Sequence, residues 1–342
     1  MDVFDVIIVG GGPAGLICAE TLGNSDKRVL LLEKEANFGD KLCAGGLTRK
    51  GMAMLDLPDH IIEQKICDAI LFSPWNRSST NTSSPLLYTV DRKILGRWQS
   101  DRLKGSGVTV RTNAQVSGIN PESVTLRDGT SYGYKELVGA DGYVSIVRRY
   151  LNIPVVKKLI GLQYTLPEND VTPMLEIYLH SRFFRSWYAW IFPHGRSIAV
   201  GCCCDPRLMN AAKLRENFNN WLQVRGIETG DAILESCPIS YDYHGVQFNN
   251  IFLVGEAAGL ASGLSGEGIY QSLVSGQEVA KMILDPGYDP ASLRSVIRFN
   301  RIQNRFMRAL HLSGIFRGLA IEIILLLMNN RYIRTRVSNA FS

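Results

Sequence analysis

Several features that would carry this 342-residue chain out of or through a membrane are missing. The start, Met1-Asp2-Val3-Phe4-Asp5, has no basic stretch followed by an apolar one, so no secretory leader is expected. The longest apolar run near the C-terminus, Gly318 to Met328, is broken by Glu322 and falls short of the ~20 residues of a spanning helix. Seven cysteines at irregular spacing argue against a disulfide framework and for a reducing, cytoplasmic setting. His60, His180, His194, His244 and His311 have no metal or nucleophile–base spacing. Cys202-Cys203-Cys204 cannot converge on one ion, because consecutive strand residues face opposite ways. No metal is expected.

Acid is almost absent from one region. From Pro290 to Ser342 there are nine arginines and one acid, Glu322, so these 53 residues carry +8 and the rest of the chain −3 of the total +5. Arg294, Arg298, Arg301, Arg305 and Arg308 recur at helical spacing on one face, and Phe299, Ile302, Phe306 and Leu310 form a separate apolar stripe. A second apolar stretch, Ile315 to Met328, leads to Arg331, Arg334 and Arg336. A basic amphipathic region of this kind suits a solvated face packed on the body, or an anionic membrane surface that makes the protein peripheral to the membrane. No nucleic-acid module accompanies it, so no nucleic-acid partner is expected.

What is present begins with glycine. Phe4 to Val9 reads as a strand buried on both faces, and it runs into Gly10-Gly11-Gly12-Pro13-Ala14-Gly15 and an apolar helix from Leu16 to Leu22. In this spacing Gly10 allows a tight turn, Gly12 admits a pyrophosphate, and Gly15 lets helix and strand pack closely. A second strand, Arg28 to Leu32, ends at Glu33, an acceptor for a ribose hydroxyl. Two later segments repeat the device: Glu136 to Asp141-Gly142, and Phe252 to Gly255-Glu256 followed by Gly266-Glu267-Gly268-Ile269 opening a helix. Three strand ends with acids and glycines in this order point to FAD.

The order of these motifs resembles FAD-dependent oxidoreductases of the aromatic-hydroxylase type. Lys41-Leu42-Cys43-Ala44-Gly45-Gly46 and Tyr188-Ala189-Trp190-Ile191-Phe192-Pro193, with Gly201 beyond, are similar to two motifs of geranylgeranyl reductases. The resemblance covers about residues 3 to 284. It implies that Gly10, Gly12, Ala14, Gly15, Glu33 and the adjoining Lys34 hold the ADP half of FAD, and that Lys41, Cys43, Ala44 and Gly46 form a loop beside the flavin. It also implies cofactor contacts for Arg92, Val116 (on adenine), Asp141, Glu256, Gly266, Gly268 and Ile269. Glu256 stands where the family has aspartate, and Leu95-Gly96 where it has Phe-Asp.

Between these segments, strand-like stretches at 159–166, 174–180, 186–192 and 197–203 and a helix from Ala211 to Val224 predict an antiparallel-sheet substrate domain. Asn76 to Ser84 reads as a polar loop tip. Alternation places Tyr188, Trp190 and Phe192 on one face, and with Pro193 they are the candidate wall for an apolar substrate. The expected fold is α/β. A Rossmann-like FAD domain comprises 1–158 and 245–289, with 66–90 open to assignment to the substrate domain. The substrate domain proper is 159–244, and 290–342 form a basic helical tail. The expected activity is saturation of carbon–carbon double bonds in an isoprenoid chain by hydride from reduced flavin, with Cys43 the candidate catalytic residue. A monooxygenase or halogenase on the same fold, and a flavoprotein that only carries electrons, are the alternatives. One dinucleotide fingerprint means that NAD(P)H binds transiently as donor, or that electrons come from a ferredoxin-like protein or a quinol.

Overall fold

Residues 1–167 and 174–330 are described by this computed structural model, and they fall into two compact units, each assembled from three stretches of chain. The first takes Met1–Lys41, Arg92–Lys157 and Ile239–Ile302; the second takes Leu42–Asp91, Lys158–Pro238 and the chain from Gln303. Residues 42–91 therefore lie wholly in the second unit, which differs from the boundaries read from sequence. Strand pairing explains the difference. Gly46–Thr48, Ile62–Ile66 and Leu87–Val90 form a sheet of their own, and Asp68–Phe72 joins the substrate sheet beside Leu175–Tyr178. The basic region is not separate either, since the helix Ala291–Leu312 has residues in both units.

The first unit is organised by a sheet in the order Gln247–Phe248, Ile251–Leu253, Ser131–Gly139, Asp2–Val9, Val29–Leu32, Val108–Arg111. Four of its five joins are parallel, all but the one between Gln247–Phe248 and Ile251–Leu253. A parallel sheet is covered on both faces, which is why Val6 to Val9 and Val29 to Leu32 carry no polar alternation. The helices Pro13–Gly23 and Ile269–Leu284 supply part of that cover through Leu16, Ala19, Leu22, Val279 and Ile283. Burying such a leucine or isoleucine fully is worth ~1.5–3 kcal/mol. The two helices meet at Gly276, where a Cβ would stand 2.2 Å from the Ala14 carbonyl oxygen.

The second unit holds a sheet in the order Glu235–Ser240, Lys158–Pro167, Ser197–Cys204, Ala189–Pro193, Leu175–Tyr178, Asp68–Phe72, Arg77–Asn81. The join between Leu175–Tyr178 and Asp68–Phe72 is parallel, where an antiparallel sheet was expected. The strand expected at 186–192 begins only at Ala189, after the short helix Ser181–Phe184 and its turn. The polar stretch read as a loop tip contains a strand, Arg77–Asn81, which pairs antiparallel with Asp68–Phe72. The helix Ala211–Arg225 starts at Asn210, whose side chain accepts the Lys213 N–H at 2.9 Å, and stops at Gly226 with φ +66°. It buries Leu214, Phe218, Trp221 and Leu222.

The arginine helix is present, and the apolar stripe read from sequence divides between its two sides, with Leu310 inward. Leu293, Val296, Asn300, Gln303, Met307 and Leu310 face inward, while Ile302 and Phe306 face out among the arginines. Asn300 is drawn inward by a specific partner: its side-chain amide donates to the Leu260 carbonyl at 2.7 Å. The apolar stretch after it forms the helix Arg317–Met328. Arg331, Arg334 and Arg336 lie outside the described residues.

Candidate functional site

In the first unit the helix Pro13–Gly23 starts from Gly12 in extended backbone (φ −75°, ψ 179°), and no side chain caps it. Proline in the first turn gives up only an amide that has no helical partner, so the remaining free amides face outward with the positive end of the helix dipole. The three glycines divide the work. A Cβ on Gly15 would stand 1.9 Å from the Gly10 carbonyl oxygen, and one on Gly10 (φ +105°) 2.5 Å from that of Ala140. A Cβ on Gly12 would meet nothing within 4 Å. Buried Glu33 accepts the Gly11 N–H at 2.6 Å and the Glu35 N–H at 2.9 Å. It braces the turn it was expected only to follow. Lys34 is exposed beside Glu35, 3.4 Å away.

A second uncapped helix start lies in the same unit. Gly268 precedes Ile269–Leu284 with no side-chain cap, and a Cβ on it would stand 3.8 Å from Glu256 Oε1. Glu256 ion-pairs with Lys41, and its other oxygen, Oε2, is buried without a protein partner. Gly255, at φ +56°, fits between Ser272 and Ala14, which sets Glu256 near the first glycine turn. The longer side chain in place of aspartate is thus accommodated. Asp141 has a split role: Oδ2 accepts the Ile146 N–H at 2.7 Å at the start of Ile146–Tyr150, while Oδ1 is buried and unpartnered. Burial pushes its carboxyl above the usual range, against the pull of Ser145 and the Ile146 and Val147 amides.

Arg92 opens the helix Arg92–Asp101 with Nε buried and unpartnered. The departure from the family pattern at Gly96 has a steric purpose, since a Cβ there would stand 2.8 Å from the Phe38 backbone. Val116 is buried at the head of its strand, Gly266 turns at φ +67°, and Ile269 is buried. Open space at Gly12, two uncapped helix starts, and buried carboxylate and guanidinium atoms without partners fit an anionic, hydroxyl-rich dinucleotide.

Sequence reading passed over the group that holds this unit's loops. Arg148, buried, donates to the carbonyls of Ile153 (3.2 Å), Ala257 (3.2 Å), Pro154 (2.8 Å) and Asp242 (2.8 Å), with the Asp242 carboxylate 3.8 Å away. Ala257 follows Glu256 directly, so Arg148 ties the two acid-bearing turns together. Burial raises the Asp242 carboxyl, but the Val156 amide, His244 and Lys157 outweigh it and leave the pKa lowered. The only sequence signal was an arginine just after the Asp141 turn.

Cys43, Ala44 and Gly46 belong to the second unit, with Tyr188, Trp190, Phe192 and Pro193. Cys43 is exposed. Its loop is held by His194, whose ring nitrogens lie 2.6 Å from Glu63 and 3.1 Å from the Ala44 carbonyl, and by Gln163, which donates to the Cys43 carbonyl at 3.4 Å. Gly45 (φ +71°) leaves room for the His194 ring, 2.6 Å from where a Cβ would sit. Phe192 leans on Gly46, 2.9 Å from the corresponding point. Trp190 is buried over Gly201, where a Cβ would stand 2.3 Å from the indole, which explains the glycine that accompanies the aromatic motif. Tyr188 stands just before the strand, its ring 6.0 Å from that of Trp190. Pro193 carries the carbonyl that accepts Thr89 Oγ1 at 2.9 Å. Glu63, 131 residues from its histidine, was not found from sequence.

The model of an NAD(P)-binding Rossmann-like domain matches residues 8–65. A geranylgeranyl diphosphate reductase from Rhodobacter capsulatus is 27% identical over 312 residues, 85% of this chain and 78% of that one. A digeranylgeranylglycerophospholipid reductase from Methanosarcina acetivorans is 25% identical, covering 81% of this chain and 74% of its own. Among solved structures, a geranylgeranyl bacteriochlorophyll reductase-like protein from Thermoplasma acidophilum has a TM-score of 0.76 at 23% identity, over 95% of this chain and 88% of that one. The flavin-dependent brominase Bmp2 has a TM-score of 0.74 at 16% identity, over 99% and 93%. The motif resemblance is borne out: this chain is a geranylgeranyl-reductase-like, FAD-dependent oxidoreductase with the expected α/β fold.

Proposed function

We propose that the protein saturates carbon–carbon double bonds in an isoprenoid chain attached to a lipid, a diphosphate or a quinone. When bound, reduced FAD supplies the hydride for such a reaction. The chain's own residues bind and orient. Gly10, Gly12, Ala14 and Gly15 present backbone amides to the pyrophosphate, Glu33 and Glu256 accept hydroxyls, and Lys41 offsets the charge of Glu256. Lys34, Arg92, Val116, Asp141, Gly266, Gly268 and Ile269 complete the cofactor set. Tyr188, Trp190, Phe192 and Pro193 form the apolar wall that orients the chain and keeps water away. Cys43 Sγ is the group that hands a proton toward the second alkene carbon, with His194 and Glu63 fixing its loop. NAD(P)H binding transiently, a ferredoxin-like protein or a quinol delivers the electrons. A substrate of this kind resides in a membrane, so the protein works from the cytoplasmic side, with its basic C-terminal helices toward the anionic leaflet.

The observation that carries this reading is that the chain holds both a dinucleotide cradle, in its first unit, and a cysteine loop braced against an aromatic strand, in its second. Its test is anaerobic. The purified protein is reduced with dithionite and offered geranylgeranyl compounds or menaquinone, and mass spectrometry looks for gains of whole hydrogen pairs with reoxidation of the flavin. Turnover that instead requires oxygen, with NAD(P)H oxidised and no hydrogenated product, would establish an oxygenase and overturn the reductase.

A further inference from the structure

The second unit ends in a surface that stays apolar on its outer side. The helices Ala291–Leu312 and Gly314–Met328 meet at a bend of 106°. In the terminal helix the inward positions are Arg317, Ile321, Glu322 and Leu325, and the two polar ones are satisfied there. Arg317 donates to the His311 carbonyl at 3.0 Å, and Glu322 accepts Ser73 Oγ at 2.6 Å, Asn76 Nδ2 at 2.8 Å and the Trp75 N–H at 3.3 Å. The outward positions are apolar. Phe306, Ile315, Phe316, Leu319, Ile323 and Leu326 are 43% to 92% exposed. Leu319, Ile323 and Leu326 recur at 4 and 3, so they form one stripe. Arg305 and Arg308 are exposed on the preceding turns, and the one acid of the region, Glu322, is buried. Trp75, whose amide bonds Glu322, is 77% exposed beside the same helix.

We propose that this face is a membrane-docking surface that enters the interface of an anionic bilayer. The helix buries Ile321 and Leu325 yet also turns leucine and isoleucine outward, and an exposed apolar patch of this kind marks an interaction site. The twelve residues of Arg317–Met328 extend ~18 Å along the axis, too short for a hydrocarbon core of ~30 Å, so the helix lies in the interface rather than crossing it. Charge selects the occupant. Two copies of this face would bring arginine against arginine with no acid between them, whereas an anionic leaflet supplies the opposite sign and takes up the apolar stripe. An exposed tryptophan suits the headgroup layer. The proposal deepens the reading of a membrane-resident substrate and rests on it for purpose only. Vesicle binding needs no turnover, so either can fail alone.

The test uses the full chain and vesicles of about one part phosphatidylglycerol to three of phosphatidylcholine. The protein sediments with them, and its tryptophan emission shifts to the blue; the shift disappears in Trp75→Phe while sedimentation persists. The outward triple variant Leu319→Ser, Ile323→Ser, Leu326→Ser weakens sedimentation at least about tenfold, and Arg305→Ser with Arg308→Ser weakens it several-fold and lessens its salt dependence. Flavin content measured on each variant shows that the fold is kept. Absence of sedimentation of the intact protein, or equal binding to pure phosphatidylcholine, overturns the proposal. So does a dimer in sedimentation velocity that the leucine variant dissociates without any vesicle binding, since the face would then serve self-association.

Discussion

Two helices of this chain are held in different ways. Pro13–Gly23 hides Ala14, Leu16, Ile17, Cys18 and Leu22 and offers only glycine backbone at its start, whereas Arg317–Met328 hides Arg317 and Glu322 along with Ile321 and Leu325 and also shows leucine to the outside. The first is positioned by apolar area and close backbone packing. The second adds to its buried Ile321 and Leu325 hydrogen bonds to partners such as Ser73 and Asn76 that lie about 250 residues earlier. Its inward face therefore takes in polar groups because they find partners there. A helix anchored in both ways has apolar residues left over on its outer side.

The contrast breaks most visibly at the first glycine turn. Gly15→Ala places a methyl 1.9 Å from a carbonyl oxygen that is fixed by the sheet, so the variant should fail to fold or emerge without flavin. Gly12→Ala fits its φ and meets no protein atom, yet its methyl occupies the open space before the helix. It should keep its melting temperature within ~2 °C and lose at least about tenfold, or ~1.4 kcal/mol, in FAD affinity. Differential scanning calorimetry and FAD titration of the apoprotein would separate the two. Equal behaviour of the two variants would mean that Gly12 serves packing as well.

A smaller effect sharpens the other side. Glu322→Leu strands three donors, at a cost of about 3 kcal/mol, and should lower the melting temperature by roughly 6–12 °C. Leu326→Ser, one turn on and facing out, should stay within about 0.5 kcal/mol. The reverse ranking would show that the leucine face is packed and the glutamate incidental.

The same contrast decides what could be read in advance. The glycine turns, strand ends and helix starts were legible, because they are constraints on local backbone, and backbone is local in sequence. Even Gly201 was visible as part of a motif, although its purpose, room for the Trp190 indole, needed the sheet. Polar pairs distant in sequence were not legible: nothing near Glu63 points to His194, nor near Arg148 to Asp242. The inward side of the arginine helix was not legible for the same reason. Periodicity grouped Phe299, Ile302 and Phe306 in one stripe, but nothing near Asn300 points to the Leu260 carbonyl that it binds. The chain's 66–90 segment was ambiguous because a parallel join such as Asp68–Phe72 with Leu175–Tyr178 leaves no turn between its partners to signal it.

The smallest effect tests burial by chemistry alone. Cys18 lies inside the glycine-led helix, and burial pushes its thiol from 9.0 up to about 12. Burial does the same for Cys202, Cys203 and Cys204, the last to about 12. At pH 8 a thiol of pKa about 12 is thiolate in roughly one molecule in ten thousand, and at pH 10 in roughly one in a hundred, before access is considered. Iodoacetamide on the native protein should therefore label exposed Cys43 and spare these four at either pH, while in urea all seven cysteines react. The sign for stability follows. Because the unfolded thiol ionises near 9.0 and the folded one near 12, the contribution of Cys18 is complete below pH 9 and is lost as pH rises through that interval. Peptide mapping of native labelling at pH 8 and 10 measures it. Modification of Cys18 before Cys43 would mean that the helix opens more readily than its apolar packing allows, and the contrast drawn from it would fail.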